Sequence, residues 1–421
     1  MPSGATNDKL LSPFSPARLG PLTLRNRVIK AATFEGCTPR GAVSDELIEF
    51  HRRVAAGGVG MSTVAYCAVS PRGRVMRNCL VMEPGSIPGL RRLTDAIHAE
   101  GAAASAQLGH AGLVANVRSN RTPSLAPTTR FSKTAGGRIK GATLDDLAAV
   151  KADYVRAALT AIDAGFDAIE LHLGHNYLLS SFFSPNLNKR TDRYGGDVEG
   201  RSRFPREVAT AVREAVGDRL AITAKFNMSD GVAGGLWLDE SLPIAEMLQA
   251  DGALDAMVLT GGSSLLNGMY FFRGDVPLQE MVDSQPKIVG LGLRLVAKKL
   301  FPSYPFEEAF FLPFAREFRA RLTMPLVLLG GINRIDTMQR ALDEGFEFMQ
   351  MGRALLREPD LLVTMQAGMR NEGLCVHCNK CMPTIYSGTR CVLVPPEALA
   401  SRSRTNEVAD ETPDKTKVEI T

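Results

Sequence analysis

Two histidines and a tyrosine stand close together in the segment HLGHNY, as His172, His175 and Tyr177. Imidazoles and phenols are common proton carriers and hydrogen-bond donors in active sites, so the cluster predicts a catalytic site. A His-x-x-His pair is also a metal-ligand pattern. No carboxylate partner for such a metal is evident nearby, which favours the catalytic interpretation.

Other polar residues in apolar runs indicate a bound phosphate and a flat polar ligand. Gln107 and Lys225 lie in two such runs, and Gly331, Gly352 and Arg353 follow two more. Small residues and an arginine after the last two strands of a barrel form a typical phosphate site. With a donor and a cation in the middle, the set describes flavin mononucleotide (FMN) lying across a barrel mouth.

A barrel that positions these residues at one end needs eight strands, and the chain contains eight short apolar runs that could form them. The predicted strands are 28–32, 60–66, 102–108, 166–173, 220–226, 254–260, 325–331 and 346–352. Predicted helices between them include 45–56, 89–100, 146–164, 203–216, 239–251 and 336–344. Alternation of strand and helix predicts an α/β fold, a (β/α)8 TIM barrel with its active site at the carboxyl ends of the strands. A doubly wound sheet is the rival architecture.

Two segments fall outside this alternation. Residues 263–323, between strands six and seven, form an insertion rich in Phe, Pro and Gly, which we expect on the catalytic face as a lid, a partner surface or simple padding. Residues 397–421 are polar and charged, and we expect a disordered tail. Residues 1–396 are therefore predicted to form one FMN-binding barrel domain.

Composition narrows the class of protein. The chain has 421 residues, 49 Lys and Arg against 45 Asp and Glu, and a net charge of +4. No basic run favours nucleic acid as a partner, and no apolar run approaches the ~20 residues that span a membrane. No signal peptide is evident, so we expect a cytoplasmic protein. The sequence leaves a homo-oligomeric state open.

An ordered set of motifs resembles the old yellow enzyme family of NADH:flavin oxidoreductases, from about Leu11 to about Val394. The most specific is 172–204, HLGHNYLLSSFFSPNLNKRTDRYGGDVEGRSRF, and further matches are NRVIKAATFEG (26–36), AQLGHAG (106–112) and MGRALLREPDL (351–361). The chain resembles the barrel domain of the 2,4-dienoyl-CoA reductase and trimethylamine dehydrogenase members. No GxGxxG follows a strand, so their separate FAD and NAD domains are not expected.

The resemblance implies an ene-reductase that uses FMN, with NADH or NADPH as co-substrate. Its substrates would be enones, nitroalkenes or related electrophiles, whose activated C=C bond takes a hydride from flavin N5. His172 and His175 would donate hydrogen bonds to the carbonyl or nitro oxygen, and Tyr177 would protonate the α-carbon.

The resemblance also implies which residues hold FMN. They are Ala32, Thr33, Tyr66, Gln107, Lys225, Gly331, Gly352 and Arg353. The first three would contact the flavin edge and the last three the phosphate. Gln107 would bond the pyrimidine carbonyls, and Lys225 would place positive charge beside N1 and O2. Phe34 stands where many relatives carry Cys or Thr, and Lys225 where most carry Arg.

Alternatives remain open at this point. Lys225 could form a Schiff base in an aldolase-type barrel, or the chain could be a flavin/iron–sulfur dehydrogenase or a non-catalytic binding scaffold. Four of the seven cysteines, Cys375, Cys378, Cys381 and Cys391, fall within 17 residues. They could hold an iron–sulfur cluster or zinc, or be free, packed thiols. Their spacing is shorter than the cluster motif of the flavin/iron–sulfur relatives.

Overall fold

The computed structural model describes residues 11–132, 137–284 and 301–395. Its main sheet closes into an eight-stranded parallel barrel surrounded by helices, which confirms the predicted TIM barrel. The barrel strands are β1 Val28–Lys30, β2 Met61–Ala68, β3 Ala103–Gly109, β4 Ala168–Leu173, β5 Ala221–Asn227, β6 Ala256–Thr260, β7 Leu326–Leu329 and β8 Phe348–Met351. Each pairs in parallel with the next, and β8 pairs with β1 to close the barrel.

The main helices alternate with these strands. They are α1 Asp45–Ala56, α2 Ile87–Ala99, α3 Leu144–Asp163, α4 Val198–Val216, α5 Leu238–Ala250, α6 Leu312–Arg321, α7 Ile335–Asp343 and α8 Arg353–Arg357. Three of their amino termini show clear caps: Ser44 Oγ accepts the Leu47 N–H, Thr143 forms a capping box with Asp146, and the Asp197 carboxylate accepts the Gly200 N–H. All eight predicted strands and all six predicted helices are present, with ends shifted by five residues at most.

Smaller elements lie outside the alternation of barrel strands and main helices. Short helices are Val117–Asn120, Leu178–Phe183, Leu278–Asp283 and Leu361–Gln366, and further strands are Ala17–Leu19, Leu22–Leu24, Leu80–Val81, Leu125–Ala126, Arg130–Ser132 and Gly137–Gly141. The hairpin Ala17–Leu24 packs its apolar residues against the amino-terminal halves of the barrel strands. This hairpin leaves the carboxyl ends of the strands as the open end.

The predicted insertion is partly described. Residues 285–300 lie outside the described residues, and 312–321 are the barrel helix α6. The remaining parts pair with each other through a bridge between Gly274 and Tyr304, and they reach the open end of the barrel. The predicted tail, 397–421, lies outside the described residues, and the single-domain boundary 1–396 stays a prediction. None of the helices in the described part of the chain combines the length and apolar character needed to span a bilayer.

Candidate active site

A cavity of about 420 Å³ lies at the carboxyl ends of the strands. This volume is in the range of small-molecule and cofactor sites. Its lining contains all eleven residues that the sequence analysis assigned to catalysis or to FMN, namely Ala32, Thr33, Tyr66, Gln107, His172, His175, Tyr177, Lys225, Gly331, Gly352 and Arg353. The cavity therefore brings together both the proposed catalytic group and the proposed cofactor-binding group.

The floor of the cavity is organised by a buried carboxylate that the sequence analysis missed. Glu170 Oε1 accepts a hydrogen bond from Gln107 Nε2 at 2.7 Å, and its Oε2 accepts one from Gln350 Nε2 at 2.7 Å. Lys225 Nζ lies 2.9 Å from Glu170 Oε1. Because a buried charge needs a partner, Glu170 and Lys225 stabilise each other. A Schiff-base lysine has to present a free amine, whereas Lys225 is engaged.

The signal for Glu170 was a single acidic residue in the apolar strand FDAIELHL. Strand register explains how its partners reach it. Glu170 pairs with Gln107 across β3 and β4, and His172 pairs with Lys225 across β4 and β5. Alternate residues of β4 thus point their polar groups into the barrel mouth.

The two imidazoles face the cavity as neutral groups. Burial, together with the neighbouring His175 imidazole and the positive charge of Lys225, lowers the pKa of His172 well below its usual value. Burial likewise lowers the pKa of His175 to about 3. His172 Nδ1 accepts the backbone N–H of Gly174 at 3.2 Å, so the ring carries its proton on Nε2. His172 is therefore a neutral Nε2–H donor.

His175 is held by contacts that the sequence did not reveal. Its Nε2 lies 3.0 Å from the hydroxyl of Thr260 at the end of β6, and the ring of Phe271 stacks on it with centroids 4.4 Å apart. Phe271 belongs to the insertion, so the insertion contributes directly to this wall of the cavity. The sequence placed the insertion on the catalytic face, as a lid, a partner surface or padding, but did not predict this contact.

Tyr177 lies against His172, with ring centroids 4.2 Å apart. Burial raises the pKa of Tyr177 above its usual value, which keeps the phenol protonated. Tyr66 stands beside it at 5.4 Å between centroids, but its hydroxyl donates to the Gly73 carbonyl at 3.0 Å. Tyr177 is thus the better placed of the two to deliver a proton.

The opposite end of the cavity is shaped by glycines and Arg353. A Cβ at Gly331, where φ is +78°, would lie 2.8 Å from Phe306 and Phe310. Only glycine allows this close approach. Arg353 Nη1 donates to the Arg273 carbonyl at 2.8 Å and bonds Asn379. Arg353 therefore connects the cavity to the insertion and to the cysteine-rich segment.

Comparison with known proteins identifies this arrangement. A model of the NADH:flavin oxidoreductase / NADH oxidase family matches residues 12–258. The chain belongs to this family. A 4,4'-dithiodibutanoate disulfide reductase of Rhodococcus erythropolis is 70% identical over 380 residues, covering 90% of this chain and 94% of that protein. A metal reductase of Desulforamulus reducens is 33% identical over 376 residues, covering 89% of this chain but only 52% of that protein.

Solved structures of a 2-naphthoyl-CoA reductase and of an old yellow enzyme homologue show the same fold. A 2-naphthoyl-CoA reductase in complex with 2-naphthoyl-CoA has a TM-score of 0.78 at 23% identity, covering 92% of this chain and 57% of that one. An old yellow enzyme homologue from Zymomonas mobilis has a TM-score of 0.69 at 21% identity, covering 92% of this chain and 98% of that one. The resemblance to the old yellow enzyme family is confirmed.

FMN is the cofactor of this oxidoreductase family, and the cavity fits it. Within the described part of the chain, the buried Gln350 Oε1 lacks a hydrogen-bond partner, although Gln350 lines the cavity. Buried acceptors of this kind are normally paired, and a ring N–H of a flavin would supply the partner.

The four clustered cysteines lie next to the flavin cavity. Together with Arg353 they line a second cavity of about 20 Å³, and Cys381 lines both cavities. Burial raises the pKa of Cys381 to about 12, which favours the neutral thiol. Among the described residues, no three His, Cys, Asp or Glu side chains are arranged as metal ligands. Iron–sulfur or zinc binding stays a prediction, which iron, sulfide and zinc analysis of anaerobically purified protein would decide.

The shifted pKa values predict a flat pH profile for acceptor reduction. With an acceptor that does not itself titrate, we expect no change in its reduction rate between about pH 5 and pH 9. In this range both imidazoles, with lowered pKa values, stay neutral, and Tyr177, with a raised pKa, stays protonated. Anaerobic stopped-flow absorbance measures the rate. A titration near pH 6.5 would contradict this assignment of neutral donors.

Proposed function

We propose that the chain is an FMN-dependent reductase that consumes NAD(P)H and reduces small electrophilic acceptors in this cavity. The observation that carries the proposal is the neutral Nε2–H donor of His172 beside the protonated phenol of Tyr177, in the same cavity as the Glu170–Lys225 pair. Bound FMN supplies hydride transfer from NAD(P)H to the acceptor. Because the cavity serves both substrates in turn, we expect ping-pong kinetics.

We propose that the cofactor-binding residues are those that the resemblance implied, since all of them line the cavity. Ala32, Thr33 and Tyr66 would contact the edge of the flavin ring. Gly331, Gly352 and Arg353, at the other end of the cavity, would bind its phosphate. Gln107 donates one N–H to Glu170, which leaves its carbonyl and second N–H for the flavin pyrimidine. Lys225 supplies positive charge beside that ring.

Activated C=C bonds are one class of acceptor. His172 and His175 would hold the carbonyl or nitro oxygen as it gains negative charge, which is how preorganised donors accelerate such reactions. Tyr177 would protonate the α-carbon after the hydride reaches the β-carbon. The neutrality of both imidazoles suits this role, since each has an N–H to donate without the cost of a buried charge.

Disulfides are the second class, and a specific observation favours them. The Rhodococcus erythropolis relative is a disulfide reductase. It is 70% identical to this chain, which covers 94% of its length. Here the S–S bond would break, one sulfur taking the hydride and the other leaving as a thiolate. His172 and His175 would stabilise that thiolate, and Tyr177 would protonate it. The balance is one disulfide, one NAD(P)H and one proton giving two thiols and NAD(P)⁺.

Anaerobic turnover with both acceptor classes tests the proposal. We expect NAD(P)H consumption with 4,4'-dithiodibutanoate, giving two thiols for each NAD(P)H, and with cyclohexenone, giving the saturated ketone. Thiol titration and product chromatography measure the two outcomes separately. Saturated cyclohexanone serves as the control that should not be turned over. Failure of both acceptors would refute the proposed function, and turnover of only one would assign the acceptor class.

The Tyr177→Phe variant tests the proton donor. We expect it to slow alkene reduction by about 10²-fold, the usual contribution of a positioned acid, while FMN reduction by NAD(P)H stays unchanged. The ring and its packing against His172 are retained, so binding of FMN should not change. Tyr194→Phe is the matched control, because its hydroxyl donates to Glu207 Oε2 at 2.9 Å and the residue does not line the cavity. An equal loss in both variants would contradict the assignment.

A further inference from the structure

Two segments beside the cavity carry positive charge and no acidic residue. Residues 71–82 contain Arg72, Arg74 and Arg77, and residues 112–121 contain Arg118 and Arg121. Neither segment contains an Asp or a Glu. We call these two segments together the basic rim.

Hydrogen bonds join the two segments into one surface. The Asn116 N–H donates to the Val75 carbonyl at 2.7 Å, and Asn120 Nδ2 donates to the Arg74 carbonyl at 2.7 Å. The backbone N–H of Arg77 donates to the Ser119 hydroxyl of the second segment at 3.2 Å. The arginines of the rim are therefore held on a connected backbone rather than on two independent loops.

The rim borders the end of the cavity where Tyr177 lies and where the acceptor would bind. Val75 and Met76, between two of its arginines, line the cavity, and so does Val114 of the second segment. Val75 and Met76 pack in the same apolar cluster as Tyr177, the proposed proton donor. The phosphate end, at Gly331 and Arg353, is formed by other elements.

Two arginines of the rim, Arg74 and Arg77, make no ion pair within the described part of the chain. Arg72, by contrast, pairs with Asp146 at 3.1 Å. The Arg74 guanidinium donates to backbone carbonyls, including that of Pro71 at 3.2 Å. Arg77 is exposed, and in the same part of the chain its guanidinium makes no hydrogen bond. Arg77 is thus available to an anion of the ligand.

We propose that the basic rim binds a carboxylate of the acceptor, so that the enzyme prefers anionic acceptors to neutral ones. The inference rests on the proposed reductase function. An aliphatic acid would lay its methylene groups along Val75, Met76 and Val114 while its reacting bond reaches His172 and Tyr177. Its carboxylate would then meet the rim. Clustered charge of this kind also raises the association rate of an oppositely charged ligand.

The Arg77→Gln variant tests this preference. We expect kcat/KM for 4,4'-dithiodibutanoate to fall about fivefold, the scale of one partly exposed ion pair, with kcat nearly unchanged. The dimethyl ester of the same disulfide should be unaffected, and Arg77→Lys should restore the activity with the acid. Raising the salt concentration should reduce the difference between wild type and variant. Arg18→Gln, on the hairpin at the opposite end of the barrel, is the matched control.

Two results would overturn the proposal. An equal loss of kcat/KM for the acid and for its ester in Arg77→Gln would show that the rim does not bind the carboxylate. A loss confined to the KM for NADPH, with NADH and the acceptors unaffected, would assign the rim to the nucleotide phosphate instead.

A binding measurement separates this inference from the proposed function. The thioether 4,4'-thiodibutanoate has no S–S bond to reduce, and its binding can be followed by the visible spectrum of the FMN-bound protein. We expect wild type to bind the thioether more tightly than its dimethyl ester, and Arg77→Gln to lose this difference. If wild type reduces no disulfide but still binds the thioether more tightly than its ester, the proposed disulfide reduction is refuted and the anion-binding role of the rim is supported. If wild type shows no difference, the rim proposal fails.

Discussion

Replacing His172 by alanine is expected to slow acceptor reduction by about 10²-fold or more while FMN stays bound. The variant lacks one preorganised N–H donor that would stabilise the negative charge developing on the acceptor, and removing such a donor slows a reaction by about this factor. The structure adds the reason why the donor is specific: Gly174 N–H occupies Nδ1, so only Nε2 carries a proton toward the cavity. Anaerobic stopped-flow measurement of the oxidative half-reaction, after reduction by NADH, gives the rate directly.

Two variants control this prediction. His172→Asn keeps an N–H donor of shorter reach, and we expect it to recover part of the rate. His98→Ala removes an imidazole from the outer surface, where His98 pairs with Asp167 at 2.7 Å, and should leave the rate unchanged. If His172→Ala reduces acceptors as fast as wild type, the ring does not contact the reacting group.

The second large effect is expected from Lys225→Met, which removes the cation from the buried pair with Glu170. Their side chains are only 3% and 1% exposed, so the remaining carboxylate would have no solvent to stabilise its charge. Breaking a buried pair costs about 3–5 kcal/mol. We expect a lower urea midpoint for unfolding of the FMN-bound enzyme, weaker FMN binding and slower reduction by NAD(P)H.

The double variant Lys225→Met/Glu170→Gln tests the cause of that loss. The introduced amide would carry no charge; its oxygen would accept from Gln107, and its NH2 would donate to the unpaired Oε1 of Gln350 once that amide rotates, so much of the stability should return. Activity should stay low, because the positive charge beside the flavin is still absent. Lys225→Arg keeps the charge and serves as the matched control. If the double variant is as unstable as Lys225→Met, an unpaired buried carboxylate is not the cause.

Strand periodicity predicted the barrel and the residues that line its mouth. Parallel strands end on one face, so residues near strand ends, such as Gln107, His172 and Lys225, could be placed together without knowing any distance. Glu170 was missed because it lies within an apolar strand, and its partners come from three other strands. Strand alternation does not specify which side chains pair across a barrel.

Contacts made by the insertion were also beyond prediction. The insertion was expected on the catalytic face from its length, but the stacking of Phe271 on His175 depends on the path of a loop without periodicity. The tie between Arg353 and Asn379 similarly joins segments that are separate in the sequence. Local pattern carries no information about such contacts.

The visible spectrum of the purified protein during an anaerobic cycle tests the central claim most directly. We predict a yellow protein with one FMN for each chain, whose absorbance near 450 nm is lost on addition of NADH or NADPH and returns on addition of an electron acceptor such as 4,4'-dithiodibutanoate. His172→Ala should lose its colour as fast as wild type but regain it slowly. A colourless protein that fails to take up added FMN, or one whose colour NAD(P)H leaves unchanged, would contradict the account.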